Sequence, residues 1–495
     1  MKPEKLSDAI GLLDDKIIES AEESRKTKKK NKRWIKWVAV AACFCLVIVG
    51  VAGHFGRIPP DNGGFGTNPN VNNNPPVVNF LSHKISEAKY PETVDYPQEN
   101  MLNLNFESYS KALDEWHEFD EARLGNRLDI KNYSSFLTTS TKNFFKGNKD
   151  NLVYSPVNVY LALSMLAETT GNNSRAQILD LLGTNSIEAI RNNANKLWLS
   201  NYMDDGVTTN ILANSVWLNE DMEYNKSTLD ILADKYYASS FKGKMGSNGY
   251  NKALQKWLND QTGGLLKEEA SQVEFNDNTI LGLASTVYFK ARWDSEFNEI
   301  NTAPDTFNGK NGKQMVDFMN QTSANDYYYD DNYSAVAMSF TNRSAKMWLI
   351  LPDEDTTSEK LIQSGDVDPI LTGSKPKNCK PYTLINLAMP KFDVSSTLDL
   401  RQNLKQLGVT DVFDDEKADF SPTFNSAAYV SMMQHSARVT VDEEGCTAAA
   451  FTVVGVDGSA EPKDIIDFRL DRPFIFVVTA DDSTPLFVGI VNNVQ

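Results

Sequence analysis

"VTVDEEGCTAAAFTVVGVDGSAEP" runs from Val439 to Pro462, and the fold turns on how it is read. Acids at Asp442, Glu443 and Glu444 lead into Gly445, and no Asp, Glu, Lys or Arg follows from Cys446 to Val456. In a strand, alternate side chains face the same side. One set is Cys446, Ala448, Ala450, Thr452, Val454 and Val456, all small or apolar and fit to face a core. The other is Thr447, Ala449, Phe451, Val453 and Gly455. No Pro lies between Val439 and Ala460, so no ladder donor is missing. Gly445 supplies freedom at a pivot. The stretch reads in two ways: as a permanent buried strand, or as a loop able to become one.

Outward from it, the chain is continuously globular from about Asp129 to its end. Helix-period runs come first: "IKNYSSFLTTSTKNFFKG" closed by Gly147, "SPVNVYLALSMLAETTG" with Pro156 near its start, and "SRAQILDLLG". Strand-like runs follow, among them "TTNILANSVWL", "ILGLASTVYF", "KMWLILP", "YTLINLAMPKF" and "FRLDRPFIFVVTA". Helices early and strands late predict an α+β fold with large mixed sheets.

The 495 residues exceed one ordinary core, and the remainder is N-terminal. Arg25–Lys36, "RKTKKKNKRWIK", carries eight basic residues and precedes an uncharged run from Trp37 to Gly53. Those 17 residues span about 25 Å as a helix, near the lower limit for crossing a bilayer. The spacing predicts a basic cytoplasmic segment over 1–36 and a single transmembrane helix over 37–55. A disordered Pro/Asn/Gly-rich linker over 56–78 and a helical pre-segment over 79–128 complete it. The positive-inside rule puts everything beyond residue 55 outside the cell membrane, and cleavage of the anchor would secrete it instead. Residues 1–24 read as a short amphipathic helix without chemistry.

A net charge of -17 argues against a nucleic-acid partner. Cys43, Cys45, Cys379 and Cys446 form no disulfide framework, and His54, His83, His117 and His435 are mutually remote. No metal site and no cofactor are expected.

Five blocks then become recognisable: "NLVYSPVNVYLALSMLAETTG" (151–171), "LASTVYFKARWDSEF" with "TAPDTF" (283–307), "LAMPKFDVSSTLDLRQNLKQLGVTDVFDDEKADFS" (387–421), "VTVDEEGCTAAAFT" (439–452), and "FRLDRPFIFVV" with "PLFVGIVNN" (468–493). In this order they resemble the signatures of the serpin family, over roughly residues 129–495. The resemblance implies the serpin fold, with three β-sheets, eight or nine helices and an exposed reactive-centre loop. It also implies a mechanism. A protease cleaves the loop and becomes acylated, and the freed loop inserts into the main sheet and traps it.

The hinge would be Glu443, Glu444, Gly445, Cys446, Thr447, Ala448, Ala449 and Ala450. Cys446 stands where Thr or Ser is usual. In the family the residue before the scissile bond lies sixteen after the first hinge Glu, which gives Ser459–Ala460 as the reactive bond. Small residues there suit an elastase-like or subtilisin-like serine protease, and a cysteine protease is a further candidate. Ser155, Asn158 and His435 match the shutter that lets the sheet open, and Trp293 matches the breach where insertion begins. Ser285 departs from the usual Asn. The resulting expectation is a monomeric, membrane-tethered extracellular serine protease inhibitor of a bacterium-like cell, and not an enzyme. A non-inhibitory serpin acting as a binding or chaperone-like protein is the alternative; its mark would be a hinge unfit for insertion. A hydrolase would need a base such as His435 beside a nucleophile, and no partner for it is identifiable.

Overall fold

The computed structural model describes residues 80–97, 105–446 and 465–494. All belong to one compact unit. The expected transmembrane helix, linker and first 36 residues lie outside the described residues, as do Thr447–Ala450, Ser459 and Ala460. Among the described residues no helix is long and apolar enough to cross a membrane.

The pre-segment contributes β1 (Lys84–Ser86) and α1 (Phe106–Leu124), the latter capped by Asn105, whose side chain accepts the N–H groups of Glu107 and Ser108. Then follow α2 (Ser134–Phe145), β2 (Leu152–Tyr154), α3 (Pro156–Thr169), α4 (Asn172–Leu181) and α5 (Ile187–Asn201). Ser155 caps α3 through the N–H of Asn158, and Pro156 occupies its first turn, where no N–H is needed. Nearly every face of α3 is buried, which suits its unbroken apolar composition.

Next come β3 (Met203–Asp204), β4 (Thr208–Asn219), α6 (Lys226–Lys235), β5 (Ala238–Gly243), α7 (Asn248–Gln261), α8 (Lys267–Ala270) and β6 (Leu281–Arg292). The strand-rich half holds β7 (Ala303–Gly309), β8 (Gly312–Tyr329), β9 (Tyr333–Ser339), β10 (Ala345–Pro352), α9 (Ser358–Ser364), α10 (Asp368–Leu371), β11 (Asn378–Pro390), β12 (Phe392–Asp399) and α11 (Leu400–Gln406). The chain closes with β13 (Gln434–Val441), β14 (Gly445–Cys446), β15 (Ile465–Arg469), β16 (Phe474–Ala480) and β17 (Pro485–Val491).

Two counts differ from expectation. Eleven α-helices occur among the described residues, not eight or nine, because α8 and α10 are single turns too short to show a helical period. The described strands form two sheets, not three. The first runs β1-β5-β4-β6-β14-β13-β12, with β3 on β4. The second runs β15-β11-β8-β9-β10-β16-β17-β2, with β7 on β8. The 18-residue β8 causes the merger: it pairs with β7 near its start, β11 along its length and β9 at its end.

The main core lies between the sheets and around α3, and β16 and β17 are buried along their whole length. A second apolar cluster of Trp217, Tyr250, Trp257 and Phe275 seats α7 on the first sheet. β6 pairs with β4 from Leu281 to Ala291, and β13 pairs with β12 from Gln434 to Val441. Between the facing edges of β6 and β13, the described ladder consists of β14 alone.

Candidate functional site: the hinge and the opening below it

β13 ends at Val441 and the chain reverses at once. Asp442 Oδ1 accepts the N–H groups of Glu444 and Gly445, both at 3.1 Å, and the Asp442 N–H donates to the Gly445 carbonyl at 3.1 Å. This turn delivers Gly445 opposite Arg292, and Cys446 opposite Ala291 on β6 and Val441 on β13. A Cβ on Gly445 would sit 2.2 Å from the Ala291 carbonyl oxygen, so this approach requires glycine. Cys446 is 2% exposed, and burial pushes its thiol up to about 12. It is a protonated apolar filler at neutral pH.

Trp293 holds the turn from β6. Its indole N–H donates to the Asp442 carbonyl at 3.0 Å, and its backbone N–H to Glu444 O at 2.9 Å. The ring stacks on Phe340 at 4.6 Å. The Phe297 N–H donates to Glu443 O at 3.0 Å. Glu443 is 6% exposed, and its carboxylate meets Lys391 at 2.8 Å and the Thr302 hydroxyl at 2.7 Å. Burial alone would raise this carboxyl, but Lys391 and Thr302 outweigh it and hold it below the usual glutamate range. Asp442 is raised instead, chiefly by burial and opposed by its backbone N–H bonds.

Farther along the same strands, the structure brings Ser155, Asn158, Ser285 and His435 together. The Ser155 N–H donates to His435 Nε2 at 3.1 Å, so the ring proton sits on Nδ1. Burial lowers this imidazole to about 4, so it stays neutral. It supports backbone at the start of α3. The Asn158 side-chain amide donates to the Ser285 carbonyl at 3.0 Å, while Ser285 Oγ has no partner. Beneath α7, a cavity of about 60 Å³ reaches from Leu283 and Ser285 of β6 to Gln434 and Ser436 of β13.

Glu443, Glu444, Gly445, Cys446 and Trp293 thus meet at one end of the gap, and Ser155, Asn158, Ser285 and His435 meet farther down. Lys391, Thr302, Phe297 and the capping role of Asp442 were not assigned from sequence. Lys391 lies in the quoted "LAMPKF" and Thr302 in "TAPDTF", but neither block marks a partner for Glu443.

The geometry is a sheet gapped between two strands, with the root of an uncharged segment already paired at its open end. Thermophilic tengpin in its native state has the same arrangement of chain: TM-score 0.66, 28% identity, 74% of this chain and 94% of that one. Thyroxine-binding globulin in complex with thyroxine shares the fold at 21% identity and TM-score 0.64, over 74% of this chain and 99% of that one. Among sequences, Serpin-Z1A of Triticum aestivum is 29% identical over 74% of this chain and 96% of its own length. A serine protease inhibitor of Cyanea capillata is 26% identical over 75% and 98%. The family model described as serpin (serine protease inhibitor) matches residues 132–494, and with that span and this gapped sheet the chain belongs to the serpin family.

Proposed function

We propose that the chain is an extracellular serine protease inhibitor that acts as a suicide substrate. The observation that carries this reading is β14: a two-residue strand seated between β6 and β13, and among the described residues the only ladder in that gap. Continuing its register sets Thr447–Val456 against Lys290–Leu281, with Thr452 opposite Ser285 and His435. The residues sharing the face of Cys446 are uncharged, so their burial carries no unpaired charge.

A protease serine attacking the Ser459 carbonyl would form an ester to Ser459 and expel the amine of Ala460. Insertion of residues 445–459 would then carry that ester away from the hinge. The 13 residue steps from Cys446 to Ser459, at ~3.3 Å each, amount to about 43 Å. Gly458, Ser459 and Ala460 fit the small pockets of elastase-like or subtilisin-like proteases; a trypsin-like pocket would leave its buried acid unpaired. Residues 37–55 would tether the domain outside the membrane, with release by cleavage as the other route to the same side.

The test mixes residues 79–495 with an elastase-like and a subtilisin-like protease. A denaturing gel and mass spectrometry of the C-terminal fragment follow. A covalent band at the summed mass and a fragment beginning at Ala460 are expected. Quantitative cleavage with no such band would reject inhibition of those proteases. If the cleaved form also failed to gain heat stability, insertion would be rejected and a binding role would replace it.

A further inference from the structure

β14 ends at Cys446, and its pairing fixes which way each residue of a continuing strand would face. Cys446 stands opposite Ala291 of β6 and Val441 of β13, and all three are buried in the main core. Alternate residues of a strand face opposite sides, so the set that begins with Thr447 would face away from that core. Counting on in the same register, Phe451 would stand between Thr286 and Ser436. Val453 would stand between Ala284 and Gln434, and Gly455 between Gly282 and Met432. Ala284 and Met432 pack against the apolar cluster that seats α7, so this outer face is the one α7 covers.

Those six register partners all line the cavity beneath α7. The wall that faces them is apolar, made by Leu254 and Leu258 of α7, Ala270 of α8, and Leu266, Val273 and Phe275. Side chains around such a cavity lack partner atoms on one side, and an entering side chain supplies them. The cavity holds about 60 Å³, less than the ~150 Å³ of an apolar cavity that admits benzene. Seating a strand between β6 and β13 parts them by about 4.8 Å, and the cavity, which spans both, widens with the gap. A phenyl ring therefore enters only as the strand is seated. The order of sizes matches the wall. Gly455 would arrive beside Gly282, over which the Phe275 ring lies so closely that a Cβ on Gly282 would sit 2.3 Å from it. The large residue, Phe451, would arrive four positions away from that closed end.

We infer that Phe451 is the anchor of insertion: its ring docks in the cavity between α7 and the first sheet, with Val453 beside it, and this docking sets how fast the segment passes α7. Phe451 is a positioning residue, eight positions before Ser459 and out of reach of the reacting atoms. Its docking speeds insertion relative to hydrolysis of the ester, so a larger share of the protease is trapped. The inference deepens the insertion reading proposed above and rests on it.

The test uses the full chain with Phe451→Ala and Phe451→Leu, each reacted with an elastase-like and a subtilisin-like protease. The ratio of covalent complex to cleaved chain is read on a denaturing gel. The Tm of the cleaved form and hydrogen exchange across α7 are recorded alongside. Phe451→Ala is expected to lower the ratio about tenfold and the Tm of the cleaved form by about 5 °C, with faster exchange in α7, while the Tm of the uncleaved form stays unchanged. Phe451→Leu, which keeps an apolar side chain, should restore most of each. An unchanged ratio and cleaved-form Tm in Phe451→Ala would overturn the anchor, as would a loss that Phe451→Leu does not recover. Ala284→Leu fills the cavity from β6; it should lower the ratio in the unsubstituted loop and have little further effect beside Phe451→Ala. Full additivity of the two would place the ring elsewhere and overturn the anchor too. Cleavage of the unsubstituted chain separates the two readings. If that cleaved form gains no heat stability, insertion itself has failed; if it gains and Phe451→Ala gains equally, the anchor alone has failed.

Discussion

At the hinge end of the first sheet, the loop root is gripped through its own backbone, by Trp293 and Phe297, and through a charge pair, Glu443 with Lys391. Farther down, at the shutter, β6 and β13 are not paired with each other. One side chain, Asn158, covers an open carbonyl, and a neutral histidine supports the start of α3. The first arrangement commits the chain to a register. On the proposed insertion, the second holds a place that an incoming strand would take: a backbone N–H would replace the Asn158 amide at Ser285 O for a net difference of about 1 kcal/mol or less. The same gap is therefore guided at one end and yielding in its middle, which suits a sheet that opens from the hinge.

The comparison breaks most completely at Gly445. In Gly445→Val the new Cβ meets backbone at 2.2 Å, with no flexible side chain to give way. We expect native stability to fall by about 1–3 kcal/mol and β14 to be lost. Covalent protease complex should fall at least tenfold in favour of cleaved chain, read on a denaturing gel. An unchanged yield of complex would mean that the seated root does not guide insertion.

Acid tests the other end. His435 titrates near 4 in the fold and near 6.5 when unfolded, so the unfolded chain binds the extra proton between those values. Its contribution is complete above pH 6.5 and is lost as pH falls toward 4, by about 3 kcal/mol. Urea midpoints from pH 7 to 4.5 should fall in the unsubstituted protein and fall less in His435→Gln. Parallel curves would remove the histidine as the cause.

Lys391→Met sharpens the contrast more gently. It leaves Glu443, 6% exposed, with Thr302 as its remaining side-chain partner, and should cost about 1–2 kcal/mol in thermal unfolding. Because Glu443 is held below the usual glutamate range, its contribution is present above that range and lost as pH falls through the depressed value. Adding Glu443→Gln to Lys391→Met should recover part of the loss; full additivity would show that the pair is not coupled.

The helix-to-strand order, the start of α3 at Pro156 and the uncharged stretch after Gly445 were legible in the sequence because each is local: a period, a spacing or a composition. Lys391 was not. It reaches Glu443 across 52 residues of chain, and nothing in "MPKF" distinguishes that lysine from others. Trp116 and Arg123 sat in a run that read as a helix, but their partners Asp205 and Asp481 are far along the chain. The merger of the sheets escaped for a different reason. β8 mixes polar and apolar residues over 18 positions, so its pattern does not announce one continuous strand. The shutter was legible only through resemblance; burial of His435 and the bond from Asn158 to Ser285 O are products of packing.

The smallest expected effect is at Ser285, and it decides how the shutter is held. Its carbonyl is bonded to Asn158, but its hydroxyl has no partner. Deleting a buried hydroxyl that makes no bond removes a desolvation cost along with the group, so Ser285→Ala should be neutral or stabilising by up to about 1 kcal/mol. Asn158→Ala, by contrast, uncovers the carbonyl and should cost about 1 kcal/mol. Differential scanning calorimetry of the two variants separates the cases. Loss of more than about 1.5 kcal/mol in Ser285→Ala would mean that the hydroxyl is bonded in solution. The middle of the gap would then be held from β6 as firmly as the hinge, and the yielding half of the comparison would have to be given up.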